Sequence, residues 1–213
     1  MKINKENMLL YAITDRKWLN GRTLASQVEE VLKNGVTFLQ LREKNLTYDE
    51  LVKEAIQIKK IAAKYKVPFV INDNIYAALE AGADGVHIGQ GDASYQEARK
   101  LLGDNKIIGM TAHNLNEALD AQNAGADYIG AGAVFTTSTK HDTIPMQFNT
   151  LKEITDNISI PVVAIGGINH ENIKELKGLG INGVAVISAL FAQENIGIAT
   201  ARMLDLSKEI VNG

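Results

Sequence analysis

Four times along this chain a glycine closes a helix-like stretch, and within a few residues a short apolar run follows and stops at polar residues. The units are Lys33-Asn34-Gly35-Val36-Thr37-Phe38, Ala81-Gly82-Ala83-Asp84-Gly85-Val86, Ala124-Gly125-Ala126-Asp127-Tyr128-Ile129 and Leu179-Gly180-Ile181-Asn182-Gly183-Val184. Successive glycines are 47, 43 and 55 residues apart. Each interval is about the length of two strand-plus-helix units, so the chain is expected to hold eight βα units in four pairs. That is an α/β fold, a (β/α)8 TIM barrel, with residues 1–213 as a single catalytic domain. In such a barrel the chemistry lies at the C-terminal ends of the strands.

Short β-rich runs predict the eight strands near Leu9–Thr14, Phe38–Arg42, Pro68–Asp73, Gly85–Gly89, Ile107–Thr111, Tyr128–Gly132, Pro161–Gly167 and Gly183–Ser188. Amphipathic segments lie between them. In Tyr48–Tyr65 the apolar Leu51, Ala55, Ile58 and Ala62 share one face, and Leu115–Ala124 opens on Asn114 with Glu117 three residues later, a helix-capping pattern. A doubly wound open sheet has the same strand signature, but eight units repeating in pairs favour closure.

Across 213 residues the formal net charge is −3, with lysines scattered among glutamates, which argues against a surface built for nucleic acid. The absence of cysteine excludes a disulfide framework, a thiolate nucleophile and cysteine metal ligands. The polar opening Met1-Lys2-Ile3-Asn4-Lys5 is unlike a secretory signal, and no apolar run approaches membrane-spanning length. A soluble cytoplasmic protein, with no nucleic-acid or membrane partner, is expected. Homo-oligomerisation is left open.

The strand ends carry the candidate site. Gln40, Arg42 and Lys44 alternate with Leu39, Leu41 and Glu43, so a period of two places three polar groups on one face, and buried cations there need an anionic partner. The third strand ends Asn72-Asp73-Asn74 and the fourth is followed by Gly89-Gln90-Gly91-Asp92. Asp73 and Asp92, from adjacent strand ends, suit Mg²⁺, which takes one or two carboxylates with waters and phosphate oxygens. Helix capping is the competing role for each aspartate. The long loop Phe135–Pro145 contains Thr137, Ser138, Thr139 and Lys140, hydroxyls and a cation suited to phosphate and to a lid. Gly166-Gly167 at the end of strand seven and Ile187-Ser188 at the end of strand eight occupy the usual phosphate-binding position of these barrels. His87 reads as a satisfied core histidine, His113 as close enough to reach the site, and no spacing among His87, His113, His141 and His170 suggests a metal centre. Trp18 reads as a cover for the barrel mouth or a packed surface aromatic.

Taken in order, Gln40-Leu41-Arg42-Glu43-Lys44, Ile71-Asn72-Asp73-Asn74, His87-Ile88-Gly89-Gln90-Gly91-Asp92, Thr137-Ser138-Thr139-Lys140, Ala164-Ile165-Gly166-Gly167-Ile168 and Val186-Ile187-Ser188 resemble the thiamine-phosphate synthase family. The resemblance runs from Tyr11 almost to the C-terminus. It implies that Gln40, Leu41, Arg42, Glu43, Lys44, Asn72, Thr111 and Lys140 hold a pyrimidine diphosphate, with Asp73 and Asp92 on Mg²⁺. It further implies that Thr137, Ser138, Thr139, Gly167, Ile187 and Ser188 hold a thiazole phosphate, while Arg42, Lys44 and Lys140 stabilise the departing diphosphate. The chain departs from the family at Thr111, where serine is common, and at Phe148, where glycine is usual. Two rivals differ in chemistry. A related thiazole tautomerase has no need of the two aspartates, and a barrel that senses a phosphorylated metabolite binds without turnover.

Overall fold

In a computed structural model of the protein, which describes residues 3–89, 95–137 and 145–213, eight parallel strands close into a barrel in sequence order. They are β1 (Leu10–Ile13), β2 (Phe38–Leu41), β3 (Phe69–Asn72), β4 (Gly85–Ile88), β5 (Ile107–Ala112), β6 (Tyr128–Gly132), β7 (Val162–Ile165) and β8 (Gly183–Val186). Closure is carried by β1, in which Tyr11 is opposite Phe38 of β2 on one side and Ala185 of β8 on the other. No strand is an edge, and the open-sheet alternative is excluded. All eight expected strands are present, several of them a residue or two shorter than the apolar runs that predicted them.

The helices are α1 (Leu24–Lys33), α2 (Tyr48–Lys64), α3 (Ile75–Glu80), α4 (Tyr95–Leu102), α5 (Leu115–Ala124), α6 (Phe148–Asn157), α7 (Ser188–Phe191) and α8 (Ile196–Asn212), with a 3-10 turn at Ile173–Leu176 between β7 and β8. Side-chain caps set several of their starts. Thr23 accepts from the Ser26 N–H, Thr47 and Glu50 form a reciprocal capping box, and Asn114 accepts from the Glu117 N–H as its sequence pattern predicts. The apolar faces so oriented pack on the outside of the strands, where Ala55, Ile58 and Ala62 of α2 are buried with Leu39, Leu41 and Ile71. A second, smaller apolar cluster fills the barrel interior with Tyr11, Phe38, Val70, Tyr128 and Val163. Its aromatic rings meet edge-on, Tyr11 to Phe38 at 4.7 Å and Phe38 to Tyr128 at 5.3 Å.

The polar residue two places after each repeating glycine has one job in all four units. Thr37, Asp84, Asp127 and Asn182 each accept, through a side-chain oxygen, the N–H of Leu10, Phe69, Ile108 and Val162 respectively, at 2.8–2.9 Å. The backbone N–H of each donates back to the carbonyl of the same partner. The fourfold repeat thus ties the N-terminal ends of β1, β3, β5 and β7 to the segments that enter the next strands. This leaves the opposite, C-terminal face to function.

Candidate active site at the C-terminal face of the barrel

A cavity of about 300 Å³ opens at the C-terminal ends of the strands. Along β2 and the residues that follow it, the alternation works as the period of two requires. Gln40, Arg42 and Lys44 line the cavity, whereas Leu41 is buried in the outer apolar layer and Glu43 turns to Arg16, whose Nε donates to its Oε2 at 2.8 Å. Side-chain contact within this five-residue stretch therefore comes from three positions. Gln40 is buried, Arg42 half-buried and Lys44 exposed. Burial alone thus does not demand an anion at Lys44, but among the described residues no ion pair joins Arg42 or Lys44 to the carboxylates, and Asp73 lines the same cavity.

Asn72 and Asp73 line the cavity beside these cations. Asp73 has φ +62°, a left-handed conformation that Asp and Asn tolerate better than other side-chain-bearing residues. Its backbone N–H is held by the carbonyl of His87 at 2.8 Å, and the amide of Asn72 donates to its Oδ2. The cap of α3 is Asn74, which accepts from the Ala77 N–H, so Asp73 is not engaged as a helix cap. A carboxylate held in this way beside an amide side chain is a donor set that fits a hard, oxygen-seeking cation such as Mg²⁺. Asp92, the expected second carboxylate, lies outside the described residues, as do Ser138, Thr139 and Lys140. Among the described residues no three or more His, Asp or Glu side chains cluster as a metal centre.

The opposite rim is built from Thr137, Gly166, Gly167, Ile187 and Ser188, which all line the same cavity. Gly167 has φ +66°, and a Cβ there would come within 2.4 Å of the Thr136 carbonyl oxygen, so only glycine lets this turn pass under the loop after β6. The amide of Asn172 donates to the Gly167 carbonyl at 3.0 Å. Phe148, the first residue of α6, meets Phe135 edge-on at 5.6 Å and so packs against the root of that loop.

Between the two rims the floor is polar. Thr111 and His87 line it, and His87 is buried and hydrogen-bonded to Tyr128 and Thr111, so it is both the satisfied core histidine that its strand position suggests and part of the cavity wall. His113 lines the mouth and is bonded to Glu117. His170 donates to the Ala199 carbonyl and takes no part. Trp18 is half-buried against the outer apolar layer and is not among the residues lining the cavity. Tyr11 and Tyr128 escaped the sequence reading. Both strands around them are apolar on both faces, so the polar tips of two inward-facing tyrosines carry no distinguishing pattern.

A family model described as thiamine monophosphate synthase matches residues 10–190. A thiamine-phosphate synthase of Clostridium novyi (strain NT) is 48% identical over 201 residues, 94% of this chain and 98% of that protein. One from Ruminiclostridium cellulolyticum is 44% identical over 203 residues, 95% of this chain and 97% of its own length. Among solved structures, a thiamine phosphate pyrophosphorylase from Pyrococcus furiosus superposes with a TM-score of 0.89 at 35% identity, covering 97% of this chain and 98% of that one.

Proposed function

This chain belongs to the thiamine monophosphate synthase family of transferases, and from that premise we propose that it joins 4-amino-2-methyl-5-(diphosphooxymethyl)pyrimidine to 4-methyl-5-(2-phosphooxyethyl)thiazole, or to the carboxylated precursor of that thiazole, giving thiamine phosphate and diphosphate. We read residues 1–213 as one catalytic domain working in the cytoplasm. One observation carries the reading. A single cavity is lined by the cations Arg42 and Lys44 beside Asp73 on the β2–β3 side and by Gly166-Gly167 with Ile187-Ser188 on the β7–β8 side, two rims suited to phosphate groups. Two phosphorylated substrates can thus enter one space with their reacting ends facing each other.

The bond between the pyrimidine's methylene carbon and the diphosphate oxygen breaks, and its electron pair leaves with diphosphate. The nitrogen of the thiazole supplies the pair for the new C–N bond, and the amino-pyrimidine ring delocalises the intervening cation. Charge grows on the leaving group, so preorganised cations accelerate the step. Arg42 and Lys44 meet that charge from β2, and Lys140 adds a third cation from the loop after β6. Asp73 and Asp92 would hold a Mg²⁺, which would neutralise charge on the diphosphate. Gln40, Asn72 and Thr111 orient the pyrimidine. Thr137, Ser138, Thr139, Gly167, Ile187 and Ser188 hold the thiazole phosphate. Neither a protein nucleophile nor a proton transfer at the reacting carbon is required.

The test is formation of thiamine phosphate from both substrates with Mg²⁺, measured with and without excess chelator. Product is expected only with the metal, and Asp73→Asn is expected to lower turnover on the order of 10²-fold, the scale on which losing one preorganised electrostatic group acts. Thiazole isomerisation without coupling identifies a tautomerase, and binding of either substrate without turnover identifies a sensor. Either result overturns the proposal.

A further inference from the structure

Beneath the cavity, side chains from five strands form one unbroken run of hydrogen bonds. Gln40 Nε2 lies 2.5 Å from the Tyr11 hydroxyl, Tyr11 2.8 Å from the Tyr128 hydroxyl, Tyr128 2.9 Å from His87 Nδ1, and His87 Nε2 3.0 Å from Thr111 Oγ1. Both ends of the run, Gln40 and Thr111, line the cavity. Both tyrosines are buried, and burial pushes their phenols well above the ordinary range, so each hydroxyl keeps one proton to give.

A run of this kind has a direction. The amide nitrogen of Gln40 offers only hydrogens, so Tyr11 accepts there, and the one acceptor left to Tyr11 among its partners is the oxygen of Tyr128. Tyr128 then passes its own proton to Nδ1 of His87, which accepts only when bare. In that order the ring is neutral, with its proton on Nε2 and given to Thr111. A charged imidazole breaks the order. It forces Tyr128 to accept from Nδ1, and the proton of either Tyr11 or Tyr128 is then left with no acceptor among these partners. The reverse order exists only if every member turns together, starting with the carbonyl oxygen of Gln40 placed on Tyr11.

We propose that Gln40, Tyr11, Tyr128, His87 and Thr111 form a polarised hydrogen-bond wire in which Tyr11, Tyr128 and His87 are positioning residues. The wire holds Gln40 Oε1 towards the cavity as the acceptor for the amino group of the pyrimidine, and it holds His87 neutral as the Nε2–H tautomer. The identity of the ligand rests on the reaction proposed above. The polarity of the wire does not, because it belongs to the ligand-free protein.

The experiment is nitrogen-15 NMR of the His87 ring in the full-length protein without ligand. The expected spectrum near neutral pH is that of a neutral ring with bare Nδ1 and protonated Nε2. In Gln40→Glu the new carboxyl, while protonated, can keep this polarity by donating its O–H to Tyr11. Once ionised it offers only acceptors, and the whole run reverses. The proton of His87 is therefore expected to cross from Nε2 to Nδ1 as pH rises in the variant and to stay in place over the same range in the wild type. Adding Tyr11→Phe to that variant cuts the run and is expected to abolish the response. A merely structural role for these residues moves no proton three hydrogen bonds away. A wild-type His87 protonated on Nδ1, or on both nitrogens, overturns the wire by itself, even if the variant fails to fold. So does a folded Gln40→Glu protein whose His87 tautomer ignores pH. Either result leaves the proposed reaction standing, while failure to form thiamine phosphate leaves the wire standing.

Discussion

Glu43 is flanked in sequence by the two cations of the cavity, yet its own side chain is turned away and only 3% exposed. One carboxylate oxygen accepts from Arg16 and the other is buried with no hydrogen-bond partner among the described residues. Burial pushes the carboxyl up from 4.5 to about 7 against the pull of Arg16, with the carboxylate of Glu54 adding to the rise. The folded chain therefore holds this proton more tightly than the unfolded chain between those two values, and stability falls as pH rises through that window. With a proton affinity difference worth about 1.4 kcal/mol for each pH unit of that window, the cost at slightly alkaline pH is on the order of 3 kcal/mol. Glu43→Gln removes it, while Glu54 stays on Arg16. Urea titrations of wild type and variant are expected to agree near pH 5 and to separate near pH 8 in favour of the variant. A difference that does not change with pH refutes the assignment.

At the scale of elements, the four glycine units are joints rather than parts of the site. Asp127 shows how much one joint carries, because its Oδ2 takes both the Ile108 N–H at 2.8 Å and the guanidinium of Arg99 at 3.0 Å. Asp127→Ala leaves a strand N–H without its acceptor and Arg99 without its carboxylate, although Arg99 keeps its bonds to Tyr95 and to the Gly103 and Lys106 carbonyls, a loss expected to cost about 1–3 kcal/mol. The joint lies at the end of the barrel away from the cavity, so KM for either substrate is expected to stay unchanged in the folded fraction. Denaturation midpoints and steady-state kinetics on one preparation check both halves. A change in KM with unchanged stability contradicts the separation of a structural face from a functional one.

Over the whole molecule, the barrel interior is a single packed layer whose upper surface is the floor of the active site. Gly109 of β5 is where this is tightest. A Cβ built there would come within 2.0 Å of the Tyr128 ring and 2.3 Å of its hydroxyl. The ring cannot yield without moving Tyr11, Phe38 or His87, which all touch it. Gly109→Ala is therefore expected to lower stability by roughly 1–3 kcal/mol through overpacking. It is also expected to reduce turnover, although residue 109 is not among those lining the cavity. Thermal melts and kcat measured together test the coupling. A variant that is destabilised but fully active when folded shows that the floor and the layer beneath it are independent.

Local sequence determined the strands, the helices and their caps, since each depends on residues a few places apart: Asn114 and Glu117, Thr47 and Glu50, or the alternation of Gln40, Arg42 and Lys44. The pairwise spacing of the glycines pointed to eight units and hence to closure. The order of the strand-end motifs pointed to the family. Tertiary structure decided what those residues face. Leu41 and Glu43 belong to the same motif as Arg42 but turn out of the cavity, and Asp73 is not a cap because Asn74 already is one. The polar residue of each glycine unit was visible, but its partner, 15 to 27 residues upstream, was not. Least legible was the floor. Tyr11 and Tyr128 are 117 residues apart, and in strands buried on both faces a tyrosine reads as one more large apolar residue. Only the register of a closed barrel brings their hydroxyls to hydrogen-bonding distance, because closure makes residues far apart in the chain share one interior.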